Sequence, residues 1–104
     1  MAQAQDKTVI TFGSFDVFHY GHLRALERAA ARGARLVVGV ASDARVRAAE
    51  GRAPTVGEEQ RLALIRALAC VDEAFLEEGL EGRRAHCLQY GADVVVRPRP
   101  GVYS

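Results

Sequence analysis

Apolar positions along the chain fall into two patterns, short unbroken runs and stripes at helical spacing, and their succession predicts strands and helices in turn. Thr8-Val9-Ile10-Thr11-Phe12 is β-branched and aromatic, as a strand should be. The next segment carries Leu23, Leu26 and Ala30 on one stripe, with Arg24, Glu27 and Arg28 elsewhere. That spacing predicts an amphipathic helix, with Gly33 as its left-handed cap. Arg35-Leu36-Val37-Val38-Gly39-Val40-Ala41 is a nearly unbroken apolar run, which suits a strand covered on both faces. Strand, helix and strand in that order imply a right-handed crossover and a parallel sheet.

Residues 44–54 read as a charged connection that contains Arg45, Arg47, Gly51, Arg52 and Pro54. Thr55 and Glu58 have the spacing of a capping box, predicting a helix that buries Leu62, Ile65 and Leu68 or Ala69. A short strand is expected at Ala74-Phe75-Leu76. A weaker helix from Leu80 to Tyr90, ended by Gly91, and another buried strand at Asp93-Val94-Val95-Val96 complete the pattern. The fold class is therefore α/β, a Rossmann-like three-layer sandwich with a parallel sheet of about four strands. Residues 1–7 are polar and read as a flexible tail, and residues 8–104 as a single domain.

Between the first strand and the first helix lies Gly13-Ser14-Phe15-Asp16-Val17-Phe18-His19-Tyr20-Gly21-His22. Gly13 lets the backbone turn at the strand's carboxyl end, and Gly21 leaves room for a ligand beside the opening turn of the helix. A helix start offers unpaired amides and a partial positive charge, so an anion is favoured there. His19 and His22, three apart, are close enough to face one ligand at that entrance. Two imidazoles so placed can donate hydrogen bonds to phosphate oxygens as charge builds on them, and neither has to become a nucleophile. A zinc pair is the poorer reading, since no third ligand stands nearby. Asp16 reads equally well as an Asx-type brace of the turn and as a support for a ligand. The chain has no Gly-x-x-x-x-Gly-Lys-Ser/Thr loop and no Gly-x-Gly-x-x-Gly, which removes the main support for kinase-like and dinucleotide readings.

The same ten residues resemble the His-x-Gly-His motif of the nucleotidyltransferase superfamily, and its cytidylyltransferase branch in particular. Gly51-Arg52-Ala53-Pro54-Thr55-Val56, then Glu59-Gln60-Arg61, then Val71-Asp72-Glu73 follow in the order of small glycerol-3-phosphate cytidylyltransferase-like and sugar-phosphate nucleotidyltransferase-like proteins. The resemblance implies that His19 and His22 are catalytic. It also implies that Gly13, Ser14, Phe15, Asp16, Gly21 and Arg61 meet the nucleotide, and that Arg52 meets the acceptor phosphate. Mg²⁺ would enter with the nucleotide, and a homodimer would be the working form.

Three departures accompany the likeness. Glu50 stands where the family commonly has a lysine. Arg97-Pro98-Arg99-Pro100-Gly101 follows the last strand in place of a Gly-Asp turn, its arginines reading as phosphate contacts or its prolines as a strand stop. The sequence ends at Ser104 before the family's later phosphate-gripping turn, which reads as a C-terminally shortened member.

Net charge is +1, so no global basic field argues for nucleic acid or an anionic membrane as partner. No apolar run approaches the ~20 residues of a membrane helix and the start lacks the apolar segment of a secretory signal, so a cytoplasmic protein is expected. Cys70 and Cys87 are too few and too far apart for a zinc framework and read as buried free thiols. The partners expected are a nucleoside triphosphate and a phosphorylated small molecule. The leading expectation is transfer of CMP from CTP to a small phosphorylated alcohol such as glycerol 3-phosphate, with release of pyrophosphate. The alternatives are adenylyl transfer to a sugar phosphate or FMN, a nucleotide-binding module without catalysis, and a structural subunit that has only inherited the fold.

Overall fold

A computed structural model describes residues 6–97 of the chain. The elements run β1 (Thr8–Gly13), α1 (Tyr20–Ala30), β2 (Arg35–Ala41), α2 (Asp43–Glu50), α3 (Glu58–Arg66), β3 (Glu73–Glu77), α4 (Arg83–Tyr90) and β4 (Val94–Val96). A 3₁₀ turn at Leu80–Gly82 leads into α4. The strands form one parallel sheet in the order β3-β2-β1-β4. The chain builds outward from β1 to β3 and then returns to lay β4 against the other side of β1. Strand order thus reverses between β1 and β4, and the crevice beyond the strands' carboxyl ends at such a point is where open α/β sheets bind ligands.

Side-chain alternation sorts the strands' residues onto two faces. Val9, Leu36, Val38 and Val40 pack with Leu26 of α1 and Ile65 of α3, while Ile10, Phe12 and Val37 pack on the opposite face with Cys87 and Tyr90 of α4. These are the three expected layers. Across the second face Phe12, Gly39 and Phe75 stand side by side in register on β1, β2 and β3. A Cβ on Gly39 would sit 2.5 Å from the Phe12 ring and 3.0 Å from that of Phe75, so the glycine makes room for two rings that meet edge to face.

Several local expectations change. The buried stripe of α1 is His22, Ala25, Leu26 and Ala29, with Leu23 and Ala30 only half-buried at its margin. Gly33 is not a left-handed cap: α1 ends at Ala31 in right-handed geometry. Gly33 is instead pressed against the Lys7 carbonyl, 2.5 Å from where a Cβ would stand, and that carbonyl accepts the amides of Ala34 and Arg35. Lys7 is thereby tied to the start of β2. The rest of the tail expected over 1–7 lies, apart from Asp6, outside the described residues, as do Pro98, Arg99, Pro100 and Gly101.

The connection expected over 44–54 contains a helix. Ser42 caps α2 by accepting the Arg45 amide at 3.0 Å, and Gly51 closes it at φ 78°. Only Val46 of that helix is buried, so no apolar stripe announced it. The α3 helix begins after Gly57 rather than at Thr55, because the Thr55 and Val56 amides are taken by Asp16. Its buried residues are Ile65 and Arg61; Leu62 and Leu68 are half-buried and Ala69 is exposed. Gly91 ends α4 at φ 64°, as expected. β4 is an edge strand whose Val95 is half exposed, not a strand buried on both faces. Both cysteines are free and half-buried, and burial pushes the Cys70 thiol up.

Candidate active site

The ten-residue motif occupies the carboxyl end of β1, the connecting loop and the first turn of α1. Its backbone turns through Phe15 at φ 54° and Val17 at φ 50°, so the left-handed positions belong to these two residues and not to glycine. Such geometry costs roughly 1–2 kcal/mol per residue and persists where its surroundings hold it. Three holds are visible. Phe15 is buried in the core. The Asp16 carboxylate accepts the amides of Thr55 and Val56, both at 2.8 Å. Ser14's carbonyl accepts from Arg61 Nη1 at 2.8 Å.

Burial alone pushes the Asp16 carboxyl up, but the amides of Thr55 and Val56 and the nearby Arg61 charge outweigh it. Together they hold it below the ordinary carboxylate range. Of the two readings of Asp16, the geometry supports a brace, one that clamps the loop before α3 onto the motif.

His19 is the N-cap of α1. Its Nδ1 accepts the Gly21 amide at 2.9 Å, and His22 Nδ1 accepts the His19 amide at 3.2 Å, so the two imidazoles complete a capping box built from histidines. The rings stack with centroids 3.9 Å apart and planes 25° from parallel. An Nδ1 that accepts an amide leaves the ring proton on Nε2, and this fixes Nε2–H as the donor of each imidazole. Gly21 is required for the stack, since a Cβ there would lie 2.7 Å from His19 Cε1. The space that Gly21 was expected to leave for a ligand is taken by the His19 ring.

The two histidines differ in access. His19 is exposed, whereas His22 is wholly buried, with Phe15 and Phe18 against its ring at centroid distances of 5.8 and 5.4 Å. His19 is the accessible ring of the pair, and His22 steadies the turn beneath it.

Arg61, expected at the nucleotide, is turned into the protein and 1% exposed. Its Nε donates to the Val56 carbonyl at 2.8 Å, Nη1 to the carbonyls of Ser14 and Ala41, and Nη2 to Asp43 at 2.8 Å. One guanidinium so joins the motif loop, the end of β2, the start of α2 and the loop before α3. Glu58 adds a link by accepting the Asp43 amide at 2.7 Å. Arg52, expected at the acceptor phosphate, is exposed on the loop after α2. Asp72, from the third block of the resemblance, is structural here, accepting the Leu36 amide at 2.7 Å.

Two of the cavities among the described residues border the carboxyl end of β1. A cleft of about 540 Å³ lies where strand order reverses, between Phe12, Cys87, Val95 and Val96 and three arginines, Arg83, Arg84 and Arg97. A smaller cavity of about 130 Å³ is bounded by Gly13, Ser14, Arg45, Glu50, Glu77 and Arg83, among others. Glu77 is 1% exposed and paired with Arg83, whose guanidinium also lies 4.6 Å over the Phe12 ring. The sequence reading passed over Glu77 and Arg83. A carboxylate directly after the apolar run Ala74-Phe75-Leu76, with an arginine six residues on, was the available signal. Among the described residues no cluster of three or more His, Cys, Asp or Glu could hold a metal ion, and no helix is long and apolar enough to cross a membrane.

A parallel sheet with paired imidazoles at the β1–α1 turn defines a Rossmann-like nucleotidyltransferase-type domain. The chain belongs to the cytidylyltransferase-like family, whose model matches residues 10–100. It is 52% identical over 73 residues to an FAD synthase of Methanothermobacter thermautotrophicus, a match covering 67% of this chain and 48% of that protein. It is 38% identical over 98 residues to the bifunctional protein HldE of Koribacter versatilis, covering 88% of this chain and 20% of that one. The crystal structure of a lipopolysaccharide core biosynthesis protein from Thermoplasma volcanium superposes with a TM-score of 0.76 at 37% identity, covering 86% of this chain and 71% of the other. The chain thus spans about half or less of the length of these curated relatives.

Proposed function

We propose that this protein transfers an adenylyl group from ATP to a phosphorylated small molecule, with FMN the first acceptor to test and a sugar phosphate the second. An acceptor phosphate oxygen attacks the α-phosphorus, and the bond from that phosphorus to the bridging oxygen breaks. The electron pair leaves with pyrophosphate. Mg²⁺ travels with the triphosphate as part of the substrate. The observation that carries this reading is the stacked His19–His22 pair at the entrance of α1, with its donor atoms fixed as Nε2–H. His19 donates to the phosphate oxygens as charge builds there, and His22 holds His19's turn from below. The FAD synthase relative favours ATP and FMN over the CTP and glycerol 3-phosphate first expected from sequence.

The Arg83, Arg84 and Arg97 cleft adds positive charge at the same edge of the sheet. Both substrates are charged metabolites of the cytoplasm, and the reading places the protein there. A homodimer belongs to it too: Leu88 and Val95 offer exposed apolar surface to a second copy, and light scattering at micromolar concentration checks the mass.

Pyrophosphate release measured with ATP and CTP against FMN, a hexose phosphate and glycerol 3-phosphate, all with Mg²⁺, tests the activity. Release with ATP and FMN is the expected result. Release with CTP alone would restore the first expectation, and nucleotide binding without release would identify a non-catalytic module.

A further inference from the structure

The arginines that follow β2 are three by sequence, yet they have three different surroundings. Arg47 borders a different cavity, whose other walls include the carboxylates Asp43, Glu58 and Glu59. Arg52 is exposed and does not border the small cavity at Gly13 and Ser14. Arg45 does. It lies on α2 one turn before Ala49 and, with Val46, Ala49 and Glu50, forms the α2 wall of that cavity.

Arg45 Nε is buried and has no hydrogen-bond partner among the described residues. A buried guanidinium N–H without an acceptor is costly, and a ligand that brings an acceptor would remove that cost. On the facing wall Glu77 is neutralised by Arg83, which leaves Arg45 and Glu50 as the cavity's charges of opposite sign with no ion pair among the described residues. The cavity's 130 Å³ is about four times the ~30 Å³ share of a water, room for a phosphoryl group and a few carbons. Gly13 and Ser14 join it to the loop that carries His19.

We infer that Arg45, and not Arg52, holds the phosphate of the acceptor, a phosphomonoester, in the cavity between α2 and the β1–α1 loop. The inference rests on the transferase reading above and deepens it. The planar fork suits two phosphate oxygens at once, and Glu50 beside it selects against more highly charged groups such as a triphosphate.

The test is calorimetry on the full chain with FMN, a hexose phosphate and glycerol 3-phosphate, with riboflavin as a phosphate-free control, and separately with ATP and CTP. Arg45→Met keeps the aliphatic stem, and circular dichroism confirms that the variant is folded. It should weaken the phosphomonoester that binds the wild type by about 10- to 100-fold. Arg45→Lys should recover part of the loss, Arg52→Met should stay within about twofold, and ATP and CTP affinities should hold. An unchanged phosphomonoester affinity in Arg45→Met would overturn the inference, as would an equal loss for nucleotide. A wild type that binds nucleotide but no phosphomonoester overturns it while leaving the transferase site standing; one that binds neither overturns both.

Discussion

His19 and His22 cap one helix for each other, with Nδ1 of the first on the Gly21 amide, Nδ1 of the second on the His19 amide, and the rings stacked at 3.9 Å. Cap and chemistry can therefore be separated by substitution. Asn is as good an N-cap as any residue, while Ala removes the acceptor at a cost of about 1 kcal/mol. His19→Asn should keep stability within about 0.5 kcal/mol and still lose turnover by a factor of about 10²–10³, the effect of removing one charge-stabilising donor. His19→Ala should lose both. Urea denaturation and pyrophosphate release measured on the two variants decide the matter, and an active His19→Asn protein would reduce His19 to a cap.

Val17 is 56% exposed and holds φ at 50°, a combination in which its side chain contributes little packing and its backbone is strained. Val17→Gly should release about 1 kcal/mol. In a domain of this size that raises Tm by about 4–8 °C in a thermal scan. A lower Tm would mean that the valine side chain has a packing role that its exposure conceals.

Asp16 sets a pH dependence whose sign follows from its shift. Its folded-state pKa lies below the ordinary value of 3.8, so its stabilisation is complete well above that value and is lost as pH falls through the folded pKa. Asp16→Asn should cost about 1 kcal/mol at pH 7 and pH 5, with the gap to wild type closing below about pH 4. Chemical denaturation at pH 7, 5 and 3 checks this. A gap that persists undiminished at pH 3 would point to packing and not to charge.

The sheet, its two principal helices and the motif turn were legible because β1, β2 and α1 carry their burial in local apolar patterns. The boundaries of α2 and α3 were not. Val46 alone is buried on α2, so a periodicity test has nothing to count, although Ser42 and Gly51 frame the helix as its caps. Thr55 has the spacing of a cap, but a carboxylate 39 residues away claims its amide. The site divides the same way: the histidine pair is local and was found, whereas Arg61's inward turn depends on carbonyls from Ser14 and Ala41, which only the fold assembles.

Arg61 now makes a prediction opposite to that of a nucleotide ligand. Its fork reaches four acceptors at once, which an ammonium cannot do, and removal would strand a partly covered Asp43 and three carbonyls. Arg61→Lys should cost about 3 kcal/mol of stability. Folded protein, isolated at low temperature, should retain nucleotide affinity within a few-fold. Full stability with lost nucleotide affinity would return Arg61 to the ligand side.

Gly39 supplies the last test, because the Phe12–Gly39–Phe75 row depends on the absence of one carbon. A methyl group at 2.5 Å from Phe12 must displace a ring that also carries Arg83 at 4.6 Å, and Arg83 in turn neutralises the buried Glu77. Gly39→Ala should therefore cost about 1–3 kcal/mol by overpacking and loosen the wall shared by both cavities. Gly51→Ala is the matching control. No atom lies within 4 Å of its added carbon, so only the left-handed φ of 78° opposes it, at about 1 kcal/mol and with no effect on Arg83. If denaturant midpoints show Gly39→Ala to be the milder of the two, the aromatic row is looser than its geometry implies.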